Sequence, residues 1–230
     1  AVDRLAPEHT QLPEVSGGYL LKVDRAGPGE GGFFAARQGM VYVEPSEAEM
    51  LRPERAAQRQ YLRTHFDAFG AALYGPNWLN PSTGYRSFID VEAWIDYHLV
   101  NVLTFNVDAL RLSAYFYKPR SGPITFGPQW DFDRALNSTD GRDANPRIWS
   151  APGGSGTDFF NDTTQAWWGR LFQDPEFFQQ WIDRYQELRG AQFATTNLWR
   201  LVDQLTDEVR RGDTRVLITL LHVPDSRDQD

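Results

Sequence analysis

The chain contains no cysteine, only two methionines and only two lysines, Lys22 and Lys118. The absence of cysteine excludes disulfides, thiolate metal sites and a cysteine nucleophile. No apolar run approaches the roughly 20 residues of a bilayer-spanning helix, so we expect no membrane span. Basic residues are outnumbered, with 23 against 31 acidic residues and a net charge of −8. This balance argues against a general nucleic-acid binder.

The composition is otherwise that of a folded domain. The chain has 230 residues, of which 41% are hydrophobic and 23% charged, so it is long and apolar enough to bury a core. Aromatic residues make up 14% and include 8 tryptophans, which invites a sugar-binding interpretation. The sequence begins Ala1-Val2, with neither a start methionine nor a signal-peptide core, and we expect it to be part of a longer protein.

Short apolar runs separated by glycine-rich turns predict a small β-meander over residues 14–44. Glycines at 27, 29 and 32 have the spacing of a kinase phosphate loop. However, Pro28 lacks an amide donor and Glu30 would face the phosphate, so we interpret this segment as a hairpin turn. Ser46 and Glu49 have the spacing of a capping box, but Pro53 would break a helix started there. We therefore predict that the long helix begins at Pro53.

Residues 53–138 carry the predicted central helices and a β-hairpin, the latter formed by the strand-like runs 114–118 and 124–126. Asp90 is predicted to cap the central helix. We interpret His98 on that helix as a buried, hydrogen-bonded histidine, because no second histidine stands at metal-ligand spacing. Gly, Pro, Asp and Ser dominate residues 139–161, which predicts a loop. Residues 162–222 are predicted to form a helical tail.

Two acidic segments stand at the ends of apolar elements. Asn106-Val107-Asp108 ends the central helix, and Trp130-Asp131-Phe132-Asp133 follows the hairpin. In an extended segment Asp131 and Asp133 share a face, and carboxylates at that spacing suit Mg²⁺ or Mn²⁺. The residues alone leave a second interpretation open, in which one of these aspartates caps a short helix at residues 134–136 or pairs with an arginine.

Together these segments resemble the CotH family of spore-coat protein kinases. The resemblance rests on Ser16-Gly17-Gly18-Tyr19-Leu20-Leu21-Lys22-Val23-Asp24, Asn106-Val107-Asp108, Tyr115-Phe116-Tyr117-Lys118 and Trp130-Asp131-Phe132-Asp133-Arg134-Ala135-Leu136. Two further segments, Asp174-Pro175-Glu176-Phe177-Phe178 and Glu187-Leu188-Arg189, also fit the family, so the resemblance covers nearly the whole chain.

The resemblance implies an α+β fold, the C-terminal lobe of an atypical protein-kinase-like domain in which the hairpin is catalytic. Such a domain uses ATP and a divalent metal ion to phosphorylate Ser or Thr on coat or surface proteins. Carried onto this sequence, it makes Asp108 the catalytic aspartate, Asp131 the metal ligand and catalytic partner, and Asp133 a second metal ligand. Ser113 stands where such sites usually carry a metal-binding asparagine, and a serine hydroxyl is a weaker ligand.

The resemblance also implies a partner, a protein substrate rich in Ser and Thr, and a spore-surface or extracytoplasmic location. It predicts that the N-terminal lobe with its nucleotide-binding lysine lies outside this chain, so the isolated chain is expected to fold without transferring phosphate. Two alternatives stay open. One is a non-catalytic spore-coat or surface adhesin with the same fold, and the other is a carbohydrate-active protein whose carboxylates, such as Asp108 and Asp131, face each other at roughly 5 to 9 Å.

Overall fold

The computed structural model describes residues 3–136, 138–145, 147, 158–160 and 167–211. Within these ranges the chain is mixed α+β. The strands are β1 (Tyr19–Val23), β2 (Gly32–Ala35), β3 (Gln38–Glu44), β4 (Ala114–Lys118) and β5 (Thr125–Phe126). The helices are α1 (Glu47–Met50), α2 (Ala56–Tyr74), α3 (Val91–Leu103), α4 (Trp168–Leu171), α5 (Pro175–Gly190) and α6 (Thr195–Arg210). No helix in the described part of the chain is long and apolar enough to cross a membrane.

All five strands form one antiparallel sheet in the order β2-β3-β1-β4-β5. Leu21 at the centre of β1 pairs with Tyr42 of β3 on one side and Phe116 of β4 on the other. Since β1 and β2 are not neighbours, the predicted meander over residues 14–44 is wrong. The glycine-rich segment is likewise not a hairpin turn, because it connects two strands that do not pair.

The tight turn of this region lies between β2 and β3. Ala36 and Arg37 both have positive φ, 51° and 63°, as a two-residue hairpin turn of type I′ requires. Neither residue is a glycine or an asparagine, so the turn carries no sequence signal of the usual kind. The β2–β3 hairpin then folds back so that β3, with its buried centre, covers one edge of β1.

The capping box that we set aside is present. The Ser46 hydroxyl accepts from the Glu49 amide and the Glu49 carboxylate accepts from the Ser46 amide, and together they start the single-turn helix α1. This helix ends before Pro53, which opens a short 3-10 turn, and α2 begins three residues later at Ala56. The predicted cap of α3 is confirmed, since the Asp90 carboxylate accepts from the Ala93 amide at 3.1 Å.

The chain forms two compact units, residues 1–181 and 182–230. In the first unit an aromatic core joins the sheet to α2 and α3. Trp167 lies at its centre, with its ring 5.5 Å from that of Phe69, 5.8 Å from that of Trp94 and 5.6 Å from that of Phe116. Its indole N–H donates to the Ala36 carbonyl at 2.9 Å, so the turn between β2 and β3 is held against the core.

The described part of the second unit contains the end of α5 and all of α6. The predicted helical tail is therefore found over 167–211, and the remainder of 162–222 lies outside the described residues. On α6 the side chains of Trp199, Leu201, Val202 and Leu205 are exposed. The described residues of the predicted 139–161 loop form neither helix nor strand, and its other residues lie outside the described ranges.

The interpretation of His98 as a buried, hydrogen-bonded histidine is confirmed. Its Nδ1 accepts from the Trp181 indole N–H at 3.0 Å, which leaves the proton on Nε2, 2.8 Å from the Phe159 carbonyl oxygen that accepts it. Burial lowers the pKa of His98 to about 4, with the Phe159 hydrogen bond opposing the shift. The ring is therefore neutral and ties α3 to α5 and to residue 159.

We predict that His98→Phe lowers the free energy of unfolding at pH 7 by about 2 kcal/mol, because two buried polar groups lose their partner. The folded-state pKa of His98 lies below its unfolded value, so its contribution is present above pH 6.5 and is lost as the pH falls toward 4. In urea titrations the difference between wild type and variant should therefore shrink between pH 7 and pH 4. A difference that stays constant over this range contradicts the assignment.

Candidate functional site

The loop after α3 is fixed by asparagines. The Asn106 backbone N–H donates to the Asn101 carbonyl at 3.0 Å. The Asn106 side-chain amide donates to the Asn101 side-chain oxygen at 3.1 Å and to the Asp131 carbonyl at 3.4 Å. Both asparagines are buried. The first residue of the Asn106-Val107-Asp108 segment therefore connects the end of α3 to the segment that follows β5.

Two further contacts bring the acidic segments together. The Ser113 hydroxyl donates to Asp131 Oδ2 at 2.8 Å, and Arg134 Nη1 donates to Asp108 Oδ2 at 3.0 Å. Ser113 lies directly before β4, while Asp131 and Arg134 follow β5. The hairpin β4–β5 thus returns the chain to the end of α3, so the two segments meet although 23 residues separate Asp108 from Asp131.

Asp108 is held by three arginines. Arg111 and Arg142 donate to Oδ1 at 3.1 and 2.9 Å, and Arg134 donates to Oδ2. Partial burial works to raise the pKa of Asp108, but the hydrogen bond from Arg142 and the charges of Arg134 and Arg142 outweigh it, so the pKa lies below its ordinary value. Asp108 therefore carries its negative charge throughout the neutral range.

A second carboxylate completes this network. Asp140 pairs with both Arg134 and Arg142, and the hydrogen bond from Arg142 is the main reason that the pKa of Asp140 is lowered. Sequence reasoning missed Arg111, Arg142 and Asp140 as parts of the site. No motif marks them, and Arg142 reaches Asp108 from 34 residues away, in a segment that we interpreted only as a loop.

Asp131 and Asp133 lie beside each other, so a carboxyl group here has a second carboxyl group as its neighbour. Their carboxyl groups lie within hydrogen-bond range of each other, and burial followed by the charge and hydrogen bond of Asp131 raises the pKa of Asp133. Two carboxylates and the Ser113 hydroxyl form a hard-oxygen donor set, which fits Mg²⁺ or Mn²⁺. In the described part of the chain no group of three or more His, Cys, Asp or Glu side chains surrounds a possible metal position, so such an ion would take its other ligands from water or substrate.

The backbone after Asp133 shows whether an aspartate of this segment caps a short helix at residues 134–136. Residues 133–136 form a turn and not a helix, with the Ala135 amide donating to the Phe132 carbonyl at 3.1 Å. Arg134 forms ion pairs with Asp108 and Asp140. Over the described ranges of the chain, no arginine forms an ion pair with Asp131 or Asp133. Capping of a short helix therefore does not explain the acidic segment.

Strained backbone is concentrated around these residues. Among the described non-glycine residues with positive φ, five surround the site: Phe105, Leu110, Ser113, Asp131 and Leu136. Left-handed backbone at leucine, phenylalanine or serine costs of order 1 kcal/mol or more and persists where the surroundings impose it. The conformation of both loops is therefore set by the contacts between them and not by local preference.

An open cavity of about 620 Å³ adjoins the site. It is lined by β1, β2 and β3, by the loop after β1, and by Arg111 and Leu112. Arg111 thus lines the cavity, and its guanidinium donates a hydrogen bond to the Asp108 carboxylate. Lys22 is not a free phosphate ligand here, because its ammonium pairs with Glu30 at 2.8 Å.

Four of the eight tryptophans that suggested sugar binding, Trp94, Trp167, Trp168 and Trp181, are buried in the aromatic core. Trp130 and Trp199 are 58% and 64% exposed, and Trp130 lies beside Asp131. Half of the tryptophan count therefore belongs to the core, and the count by itself does not indicate a carbohydrate-active site.

We predict that Arg142→Met raises the pKa of Asp108 toward its ordinary value, because the strongest hydrogen bond that favours the charged carboxylate is lost. The measurement is a pH titration of the aspartate side-chain ¹³C carboxyl resonances by NMR. Arg63→Met, an exposed arginine substitution on α2, is the matched control and should leave the Asp108 midpoint in place. Equal midpoints in wild type and Arg142→Met contradict the network.

Comparison with known proteins gives one match. The model of the family described as CotH kinase protein matches residues 5–215. No curated protein and no solved structure matches the chain. The matched range contains both acidic segments, the hairpin between them and the arginines that hold Asp108. The chain belongs to the CotH kinase protein family.

Proposed function

We propose that this protein is a protein kinase that transfers phosphate from ATP to Ser or Thr side chains in a reaction that depends on Mg²⁺ or Mn²⁺. The observation that carries the proposal is the convergence of Asp108 and Asp131 through the contacts of Ser113 and Arg134. Phosphoryl transfer depends on positioning and on neutralising charge, and this site combines a permanently ionised carboxylate, three arginines and a pair of metal-type carboxylates.

Asp108 is proposed to orient the substrate hydroxyl. An ionised carboxylate offers about four acceptor positions, and the three arginines occupy three of them within the described residues. Among the residues that the structure describes, Oδ2 accepts only from Arg134, so it has room for the hydroxyl of a serine or threonine. The hydroxyl oxygen then attacks the γ-phosphorus, the bond from phosphorus to the ADP oxygen breaks with its electron pair, and the hydroxyl proton passes to Asp108 or to the transferred phosphate.

The arginines have a second role in this proposal. Arg111 and Arg142 lie beside Asp108, so negative charge that develops on the phosphoryl oxygens meets cations already in place. Arg111 also lines the cavity at β1–β3, and we propose this cavity for part of the nucleotide. When bound, the metal ion supplies charge neutralisation between the phosphates, and Asp131, Asp133 and Ser113 would hold it.

The proposal extends to substrate and location. Membership of the CotH family supports a Ser/Thr-rich coat or surface protein as the partner and the spore surface as the place of action. No described helix spans a membrane.

We predict that Mn²⁺ binds the chain with an affinity that falls about tenfold in Asp131→Asn and in Asp133→Asn, since each substitution removes an anionic ligand. Electron paramagnetic resonance of free Mn²⁺ measures it. Ser113→Asn should bind more tightly than wild type, because asparagine supplies a carbonyl ligand and tolerates the positive φ at this position. Asp67→Asn, an exposed change on α2, is the control. Unchanged binding in both aspartate variants contradicts this metal site.

We predict that Asp108→Asn and Asp131→Asn each lower phosphoryl transfer to a Ser/Thr-rich protein roughly hundredfold or more, with the thermal unfolding midpoint close to that of wild type. The assay uses ³²P-labelled ATP with Mg²⁺ or Mn²⁺, on this chain and on the longest gene product that contains it. Both are needed because the resemblance implies nucleotide contacts upstream. Asp67→Asn should keep wild-type activity. If both site variants retain it as well, the kinase proposal is wrong.

A further inference from the structure

The two lysines of the chain lie on neighbouring strands and differ in how their charge is compensated. Lys22 on β1 pairs with the Glu30 carboxylate at 2.8 Å. Lys118 on β4 is only 2% exposed, and its ammonium donates to the backbone carbonyls of Ser16 at 2.8 Å and Pro119 at 3.1 Å. Over the described residues no carboxylate lies within ion-pair distance of Lys118.

A buried ammonium without a counter-ion is costly. An ammonium has three N–H donors, and the two carbonyls satisfy two of them. Burial lowers the pKa of Lys118 to about 8. Burial also acts to lower the pKa of Lys22, but the hydrogen bond that Lys22 donates to Glu30, together with the charges of Tyr115, Glu30 and Asp24, outweighs it and raises that pKa. Lys118 thus keeps its proton at neutral pH, although its surroundings disfavour the charge.

Lys118 lines an open cavity of about 630 Å³. None of the thirteen residues that line it is an aspartate or glutamate. Two other nitrogen-bearing side chains in its wall have buried atoms without a hydrogen-bond partner among the described residues, His65 at Nε2 and Arg86 at Nε. The guanidinium of Arg86 already pairs with Asp174 at 3.0 Å, so Lys118 is the uncompensated charge of this cavity.

The rest of the wall is aromatic and apolar. The Tyr61 and His65 rings stack with centroids 5.7 Å apart, and the Phe88 ring lies 5.5 Å from that of His65. Leu12 also lines the cavity and is 71% exposed. Ligand sites of this size typically combine apolar walls with a few polar groups that fix orientation.

This cavity is separate from the site at Asp108. Ser113 precedes the first residue of β4 and Lys118 is the last residue of that strand. Four residue steps along an antiparallel strand span about 14 Å. A ligand at Lys118 is therefore outside contact with the Asp131 carboxylate, and its binding does not require kinase activity.

We propose that this cavity binds an organic acid with an aromatic or branched aliphatic body. Its carboxylate accepts from the Lys118 ammonium and from His65, in the tautomer with the proton on Nε2, and its body packs against Tyr61 and Phe88. The single negative charge of the acid matches Lys118, the cation of the described cavity lining that has no carboxylate partner among the described residues. A phosphate dianion would bring a second charge that the lining does not balance.

NMR of isotope-labelled lysine tests this directly, because the chain has only two lysines and Lys22→Met assigns their resonances. Phenylacetate, added at millimolar concentration at pH 7, should shift the ε resonances of Lys118 in a saturable way and leave those of Lys22 in place. The neutral analogue phenylacetamide should bind about tenfold more weakly, since it lacks the charge that Lys118 compensates.

Substitutions of the lining residues test whether phenylacetate binds at this cavity or elsewhere on the protein. Lys118→Met should weaken phenylacetate binding about tenfold by calorimetry, and His65→Phe, which keeps the aromatic wall but removes the Nε2 donor, should weaken it by a smaller factor. Lys22→Met is the matched control and should bind like wild type. If Lys118→Met does not fold, the wild-type NMR comparison and His65→Phe still decide the question.

Three results overturn the proposal. They are equal affinity for phenylacetate and phenylacetamide, shifts at Lys22 as large as those at Lys118, and no binding by either probe. Tighter binding of phenyl phosphate than of phenylacetate would also overturn it, because the site would then recognise a dianion.

Discussion

The position of the site depends on how Trp94 anchors helix α3 to the hairpin. Trp94 is fully buried, its indole N–H donates to the Ile124 carbonyl at 2.9 Å, and its ring meets Phe126 edge-on at 4.5 Å. Trp94 belongs to the helix that leads to Asp108, while Ile124 directly precedes β5 and Phe126 ends it, on the way to Asp131. One buried side chain therefore holds together the two elements that carry the acidic segments.

Around this anchor the structure gives neighbouring aspartates opposite surroundings. At Asp108 the arginines outweigh partial burial and lower the pKa, whereas at Asp133 burial, followed by the neighbouring Asp131 carboxyl group, raises it. Environments that shift pKa values in opposite directions assign different roles to the same side chain. In the function proposed above, Asp108 would orient the substrate hydroxyl, and Asp131 and Asp133 would hold a divalent cation.

Local features of the fold were predictable. The limits of β4, the cap at Asp90 and the buried role of His98 all agree with the structure, because alternation and capping depend on residues that are close in sequence. The order of the strands was not predictable in this way, and the meander predicted for residues 14–44 is wrong. Strand order depends on which edge of β1 is free, and the turn at Ala36 lacks the residues that usually mark one.

The sequence by itself determined the acidic segments, their spacing and the resemblance to the CotH family, since these follow from residue identity alone. Only the tertiary structure decided what surrounds each charge. Arg142 reaches Asp108 from a loop, and Ser113 donates to Asp131 across the hairpin. Lys118 lies at a cavity whose described lining contains no carboxylate. The physical reason is that the interaction between two charges depends on their distance in space, and these distances are set when the hairpin packs against α3.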